Sequence, residues 1–259
     1  MRLEQRFPRK RVLITGANSG FGKAMAMHFG RNGWRVAVTG RRPDAVRAAA
    51  EDVRQTGAAE GVEMTIDVAK PEDFAAAATR IEAQWGGLDI LVNNAGIMDS
   101  ARLQDITLEQ WHRIMDINLW GVIHGCHAFI PMLMRQESGY VLNMASSAGL
   151  FALPEMAHYS VPKAAVIALS ETMRAELARC GIGVTVSCPA AFASDILNKE
   201  GVDVTRSVTL RALDKDAKAG RHTAESVAAH AIRTMERGRL YDIAHDSMEV
   251  LWFVKRLMP

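Results

Sequence analysis

Thr15-Gly-Ala-Asn-Ser-Gly-Phe-Gly22 carries the strongest fold signal in this chain. It follows a short apolar run, Val12 to Thr15, and opens a helical pattern that continues to about Arg31. Glycines at 16, 20 and 22 permit a tight turn and a close approach of the backbone to a phosphate group. The start of the helix behind them offers free N–H groups and the positive end of a dipole. The spacing is G-x-x-x-G-x-G rather than G-x-G-x-x-G, and taken alone the same letters serve as a structural turn. Position gives them weight, because they stand after a first strand and before a first helix.

Working outward, short apolar runs keep alternating with longer helical patterns. Strands are predicted at Trp34 to Thr39, Gly61 to Ile66, Leu88 to Val92, Tyr140 to Ala145 and Ile182 to Cys188. Helices are predicted at Pro43 to Thr56, Pro71 to Trp85, from Thr107 (with Gln110 completing a capping box), and from Tyr159 to Cys180. A further helix, Thr223 to Arg237, precedes Leu240 to Ala244, a candidate seventh strand. Repeated strand–helix–strand units imply an α/β fold, a doubly wound parallel sheet with helices on both faces. Nothing marks a linker or an internal repeat, so residues 1–259 read as a single domain. The stretch 196–216 is polar with weak periodicity, and 245–259 reads as an apolar helical tail carrying Lys255 and Arg256.

Composition excludes several classes. The 259 residues are 49% hydrophobic and 23% charged, with a formal net charge of +2, which is globular composition without the basic excess of a nucleic-acid binder. Cys126, Cys180 and Cys188 form no C-x-x-C pair, which favours a reducing compartment over a disulfide framework. No apolar run of the ~20 residues needed to span a bilayer stands out, and the N-terminus lacks an apolar signal region. A cytoplasmic location is expected. A membrane anchor in the tail is disfavoured against packing on the core or on a partner subunit. His124 and His127 stand three apart, but no acid clusters with them, and no metal site is expected.

The end of the second strand reads Val36-Ala-Val-Thr-Gly-Arg-Arg42. A dinucleotide site that prefers NAD often places an acid there, on the ribose 2′-hydroxyl. Here the first acid is Asp44, and Arg41 and Arg42 offer charge-assisted bonds to a 2′-phosphate instead. NADP(H) is therefore the expected cofactor, with NAD(H) as the alternative.

Tyr159-Ser-Val-Pro-Lys163 puts a phenol and an ammonium four residues apart, on one helical face. A neighbouring cation favours the phenolate and would lower the tyrosine pKa toward useful acid–base work. Pro162 is expected to be tolerated in the first helical turn, where N–H groups lack partners. Asn143-Met-Ala-Ser-Ser-Ala-Gly149 and Asn93-Asn-Ala-Gly96 end two strands at the edge where such sheets bind ligands. Asn118 lies among Met115, Ile117, Leu119 and Trp120, where a polar side chain needs a hydrogen-bond partner. His158 is either a pocket residue or a solvated helix start. Met98, Met144 and Met156 flank motif positions and are candidates to line an adaptable apolar pocket.

From about Arg9 to Ser194 the chain resembles the classical short-chain dehydrogenase/reductase family. The motifs that carry the resemblance are the Thr-Gly-x-x-x-Gly-x-Gly turn, Asn-Asn-Ala-Gly, Asn118, Ser146 and the Tyr159/Lys163 pair, all in family order. The resemblance implies a Rossmann-type fold and an oxidoreductase interconverting a carbonyl and a secondary alcohol on a moderately hydrophobic small molecule. It implies Tyr159 as general acid/base and Ser146 as holder of the substrate oxygen. Lys163 would bind the nicotinamide ribose and lower the Tyr159 pKa, and Asn118 would hold a water beyond it. Gly16, Asn18, Ser19, Gly20, Phe21 and Gly22 would surround the pyrophosphate. Asp67 and Val68 would face the adenine, and Asn94, Ala95 and Gly96 would line the cofactor channel. Pro189, Phe192 and Ser194 would cradle the nicotinamide, although Ala190 stands where the family has glycine. Asn93 and Asp89 read as structural groups. By family precedent 196–216 would form a mobile lid, and the long helices from Thr107 and Tyr159 would build a homodimer or homotetramer. The rival is a non-catalytic NADP(H)-binding redox sensor on the same fold. The retained Tyr/Lys pair weighs against it.

Overall fold

The computed structural model describes residues 1–192, 207–219, 222–244 and 246–257. Seven parallel strands form one sheet in the order β3-β2-β1-β4-β5-β6-β7. They are β1 (Arg11–Ile14), β2 (Arg35–Gly40), β3 (Glu60–Thr65), β4 (Ile90–Asn93), β5 (Gly139–Met144), β6 (Ile182–Ser187) and β7 (Tyr241–Asp242). Predicted strand edges differ by one or two residues, as backbone pairing and hydropathy need not end together.

Alternation along each strand divides the core in two. Leu13, Leu91, Val141 and Val184 point to one face. There they meet Phe74 and Ile81 of α4 (Pro71–Trp85), Val122 and Phe129 of α6 (Gly121–Arg135), and Val166 of α8 (Ala157–Leu177). Val12, Ile14, Val92 and Leu142 point to the other. There they meet Met25 and Phe29 of α2 (Gly20–Arg31), Val46 and Val53 of α3 (Pro43–Gln55), and Val227 of α10 (Ala224–Glu236). A strand buried on both faces has no polar side to offer, which is why these segments read as unbroken apolar runs. The strand order reverses between β1 and β4, and this switch point opens a crevice at the carboxyl ends of the strands.

Several elements depart from the predicted pattern. The helix from Thr107 is capped as expected: Gln110 N donates to Thr107 Oγ1 at 3.2 Å and Thr107 N to Gln110 Oε1 at 2.9 Å. It then runs as α5 (Leu108–Met115), a π-helical turn at Asp116–Trp120, and α6. This 28-residue run, Leu108–Arg135, contains an 18-residue window of mean hydropathy 1.3 and is by length and composition long and apolar enough to cross a bilayer, contrary to the sequence expectation. Of that window 44% is buried inside the protein, where Val122, Phe129 and Leu133 pack on the sheet. Short helices α1 (Leu3–Arg6) and α7 (Ser147–Phe151) were not foreseen, being shorter than the periodicity a sequence pattern can register. Helix α9 (Val208–Lys218) begins inside the segment 196–216 and runs past its end, and the tail forms α11 (Asp246–Leu257), whose Met248 and Trp252 pack on the core. Helix α8 starts at Ala157, so Pro162 falls in its second turn rather than its first, and the N–H that would bond the His158 carbonyl is missing.

Candidate active site

One cleft of about 360 Å³ runs along the carboxyl edge of the sheet. At one end lies the glycine turn, with Gly16, Asn18, Ser19, Gly20 and Phe21 on its wall. Gly16 has φ +63°, and a Cβ there would stand 3.0 Å from the Ala95 Cα. Only glycine combines that backbone with that contact. Ser19, at the N-cap of α2, makes no side-chain capping bond. The first N–H groups of the helix are thus left for a ligand, the donor set that a pyrophosphate fits. Gly22 does not line the cleft: it lets the first turn of α2 lie against Asn94 Nδ2 and the Gly16 carbonyl, each 2.5 Å from where its Cβ would be.

Asn94 holds this end to β4. Its Nδ2 donates to Thr15 O at 2.7 Å, while Asn94 N and Ala95 N donate to Thr15 Oγ1 at 2.8 and 3.0 Å. With Ala95 and Gly96 it also lines the channel. Asp67 and Val68 line the neighbouring wall, and Arg41 and Arg42, both exposed, stand where β2 delivers them. Neither arginine forms an ion pair among the described residues. Asn93 and Asp89 are structural, as expected. Asn93 Nδ2 donates to Asn143 Oδ1 at 2.9 Å. Asp89 accepts from Arg11 N and Arg11 NH2, both at 2.8 Å, in a buried ion pair.

At the other end Ser146, Tyr159 and Lys163 meet in the same cleft. Ser146 caps α7 and accepts from Ala148 N at 3.2 Å, which leaves its hydroxyl proton free to donate toward the cleft. Tyr159 is hydrogen-bonded to Ser146. Lys163 is 3% exposed; its Nζ donates to Met144 O at 2.9 Å and sits 5.8 Å from the centre of the Tyr159 ring. Burial pushes the lysine down to about 8. Burial pushes the Tyr159 phenol up to about 12, with the Ser146 bond pulling the other way. The expected lowering by Lys163 is therefore reversed. Desolvation of the phenolate dominates in this cleft, and the Lys163 ammonium spends one donor on a backbone carbonyl.

Asn118 braces the segment after β4: its Nδ2 donates to Ile97 O and its Oδ1 accepts from Ile97 N, both at 2.9 Å, which leaves one N–H and one oxygen lone pair of the amide. It does stand close by: a Cβ on Gly96 would lie 3.1 Å from Asn118 Oδ1 and 3.5 Å from Lys163 Nζ. His158 fits neither sequence expectation. It is fully buried, edge-on to Trp111 at 5.9 Å, with Nε2 3.6 Å from Asp99 Oδ2. His124 Nδ1 lies 3.0 Å from Val68 O, and no metal-ligating cluster occurs among the described residues.

Pro189, Ala190 and Phe192 line the cleft, and Ala190 keeps a negative φ. Ser194 and residues 196–206 of the expected lid lie outside the described residues. Met98, Met144 and Met156 line the cleft as anticipated. Leu153 and Leu213 do so as well and were missed. The signal for Leu213 was present: Leu210, Leu213 and Ala217 repeat at helical spacing in α9, obscured by the six charged or polar residues between and around them.

The short chain dehydrogenase family model matches residues 10–204. The chain is 35% identical over 191 residues to "Probable oxidoreductase EphD" of Mycobacterium tuberculosis, a match covering 73% of this chain and 32% of that protein. The matched region thus spans about a third of EphD. It is 34% identical over 190 residues to the 3-oxoacyl-[acyl-carrier-protein] reductase FabG of Staphylococcus epidermidis, covering 73% of this chain and 78% of the relative. A short-chain dehydrogenase/reductase from Burkholderia phymatum in complex with NAD superposes with a TM-score of 0.86 at 26% identity, covering 95% of this chain and 92% of that one. A short-chain dehydrogenase from Sphingobium yanoikuyae in complex with NADPH gives 0.81 at 26% identity, covering 95% and 91%. With the motifs, the sheet order and the cleft in agreement with these matches, the chain belongs to the short-chain dehydrogenase family.

Proposed function

We propose that the protein is an NADP(H)-dependent oxidoreductase that interconverts a carbonyl and a secondary alcohol on a moderately hydrophobic small molecule. One observation carries this: a single cleft joins Ser146, Tyr159 and Lys163 to an uncapped helix start and to two arginines that form no ion pair among the described residues. When bound, NADP(H) supplies or accepts the hydride. The protein handles the oxygen and the proton. Ser146, oriented by Ala148 N, donates to the substrate oxygen as negative charge grows there. Tyr159 gives its proton to that oxygen in reduction and takes one in oxidation. Burial keeps the Tyr159 phenol protonated, the form that donates in reduction. Lys163 keeps two ammonium donors for ribose hydroxyls after bonding Met144 O. Arg41 and Arg42 take the 2′-phosphate. Met98, Met156, Leu153 and Leu213 provide an apolar wall for the substrate.

We take the working assembly to be a homodimer or homotetramer. Leu108, Trp120 and Val161 on the two long helices, 76%, 48% and 48% exposed, support this. A reducing, cytoplasmic setting suits three cysteines that form no disulfide.

The test is nicotinamide absorbance across a panel of neutral ketones and secondary alcohols, with NADP(H) and NAD(H) in parallel. Turnover with NADP(H) is expected, with NAD(H) at least about tenfold less efficient, the size of one charge-assisted contact. Arg41→Ala with Arg42→Ala should remove most of that difference. Turnover confined to NAD(H) would overturn the cofactor assignment.

A further inference from the structure

The loop from Ala152 to Met156 joins the helix of Ser146 to the helix of Tyr159. Two of its residues, Ala152 at φ 49° and Glu155 at φ 61°, adopt the left-handed backbone that side-chain-bearing residues rarely take. Such a conformation persists where surrounding contacts impose it. At Glu155 those contacts come from two other segments. Its carbonyl accepts from Ala101 N at 2.8 Å. Ser100 Oγ lies 2.9 Å from both the Glu155 carbonyl and Ser207 Oγ, one hydroxyl proton serving either. The Glu155 carboxylate reaches α9. Oε2 accepts from Ser207 Oγ at 2.5 Å and from Thr209 N at 3.3 Å. Thr209 Oγ1 donates to Pro154 O at 3.0 Å. Ser207 is buried and is itself the N-cap of α9, accepting from Leu210 N at 3.0 Å. One turn further on, Leu213 packs on the cluster of Ile114, Ala148, Met156 and Tyr159 and lines the cleft.

We propose that Glu155 is a positioning residue that clamps the start of α9 to the catalytic loop and thereby holds Leu213 against the substrate compartment beside Tyr159. The inference rests on the proposed function for the word substrate, but the clamp itself is a matter of geometry. A carboxylate that accepts an O–H and a helix-start N–H makes charge-assisted bonds, stronger than those between neutral groups. These bonds hold its carboxyl below the usual range, with Ser207 the largest influence and Arg102 a minor one, so the clamp stays ionised under ordinary conditions.

The test uses the full chain with NADPH bound, in two arms. The first is limited trypsin digestion with cleavage inside α9, after Arg211 or Lys215, mapped by mass. Glu155→Ala and Ser207→Ala should each speed that cleavage about tenfold, the scale of losing a charge-assisted bond, and the double variant no further. Glu155→Gln keeps an oxygen acceptor and should stay within about threefold of the parent. The second arm is reduction of 1-phenyl-1-propanone. Glu155→Ala should raise KM about tenfold with kcat within about threefold, because Tyr159, Ser146 and Lys163 stay in place. Unchanged cleavage in Glu155→Ala, fully additive single effects, or a fall in thermal stability matching the increase in cleavage would overturn the clamp. If the parent does not reduce the ketone, the substrate reading fails at that compound while the digestion still decides the clamp.

Discussion

Lys163 is held by a contradiction between stability and function. It is buried, its Nζ bonds to a backbone carbonyl, and no carboxylate pairs with it among the described residues. Its lowered pKa, from 10.5 to about 8, corresponds to a penalty on the order of 3 kcal/mol for keeping the ammonium charged in the fold. The penalty applies below about pH 8. Above it the folded lysine sheds its proton while the unfolded one keeps it to about 10.5, so the native state gains stability as pH rises through that window. Lys163→Met relieves that penalty but leaves the Met144 carbonyl without its donor, at about 1–2 kcal/mol, so it should melt about 3–6 °C higher than the parent at pH 7, with the advantage shrinking above pH 8, and should lose turnover. Calorimetry across pH 6–10 checks this; a variant less stable at pH 7 would contradict it. The types and spacing of Ser146, Tyr159 and Lys163 were legible in the sequence. Their electrostatics were not, because the sign of the Tyr159 shift depends on burial, and the competing carbonyl of Met144 is contributed by another element.

At the scale of elements, the π-helical turn at Asp116–Trp120 explains why an asparagine is tolerated inside a long helix. The wide turn aims Asn118 at the backbone of Ile97, and its two bonds fix the segment that carries Ile97 and Met98 along the cleft. Asn118→Ala leaves a buried N–H and C=O unpaired, a loss of about 2–4 kcal/mol, and should lower Tm by roughly 5–10 °C. Asn118→Asp keeps one acceptor but confronts the Ile97 carbonyl with a carboxylate, and should rescue little. Thermal unfolding of both variants decides; a drop under about 2 °C in Asn118→Ala would refute the bracing role. The sequence marked Asn118 as a polar residue in need of a partner but not which partner, since the partner is backbone and lies 21 residues away. Strands and main helices were legible because double-faced burial writes itself as apolar runs. Helices α7 and α9 were obscured by their shortness and by mixed charge.

At the scale of the molecule, the sheet order alone brings five separated loops to one edge. Residues 16, 41, 67, 94 and 146 follow five different strands and meet in a single cleft. The sequence disclosed this only through the regular strand–helix alternation, which fixes parallel strands and so places all carboxyl ends together. What lies outside the cleft was less visible. The apolar side chains on the outer surface of α5 and α8 carry no periodic mark that separates a partner-facing surface from an ordinary one. If they form the subunit contact, Trp120→Glu should shift sedimentation toward the monomer at micromolar protein, with the circular dichroism spectrum retained. An unchanged species would move the contact elsewhere.

The central claim is that Tyr159 passes the proton in a carbonyl–alcohol reaction run with NADP(H). The most direct test compares Tyr159→Phe with the parent on the best ketone of the panel, alongside NADPH affinity. The expected result is a loss in kcat of about a hundredfold to ten-thousandfold with the NADPH Kd within about threefold, as for removal of an acid–base group that does not anchor the cofactor. A Tyr159→Phe protein that keeps kcat within tenfold of the parent would contradict it.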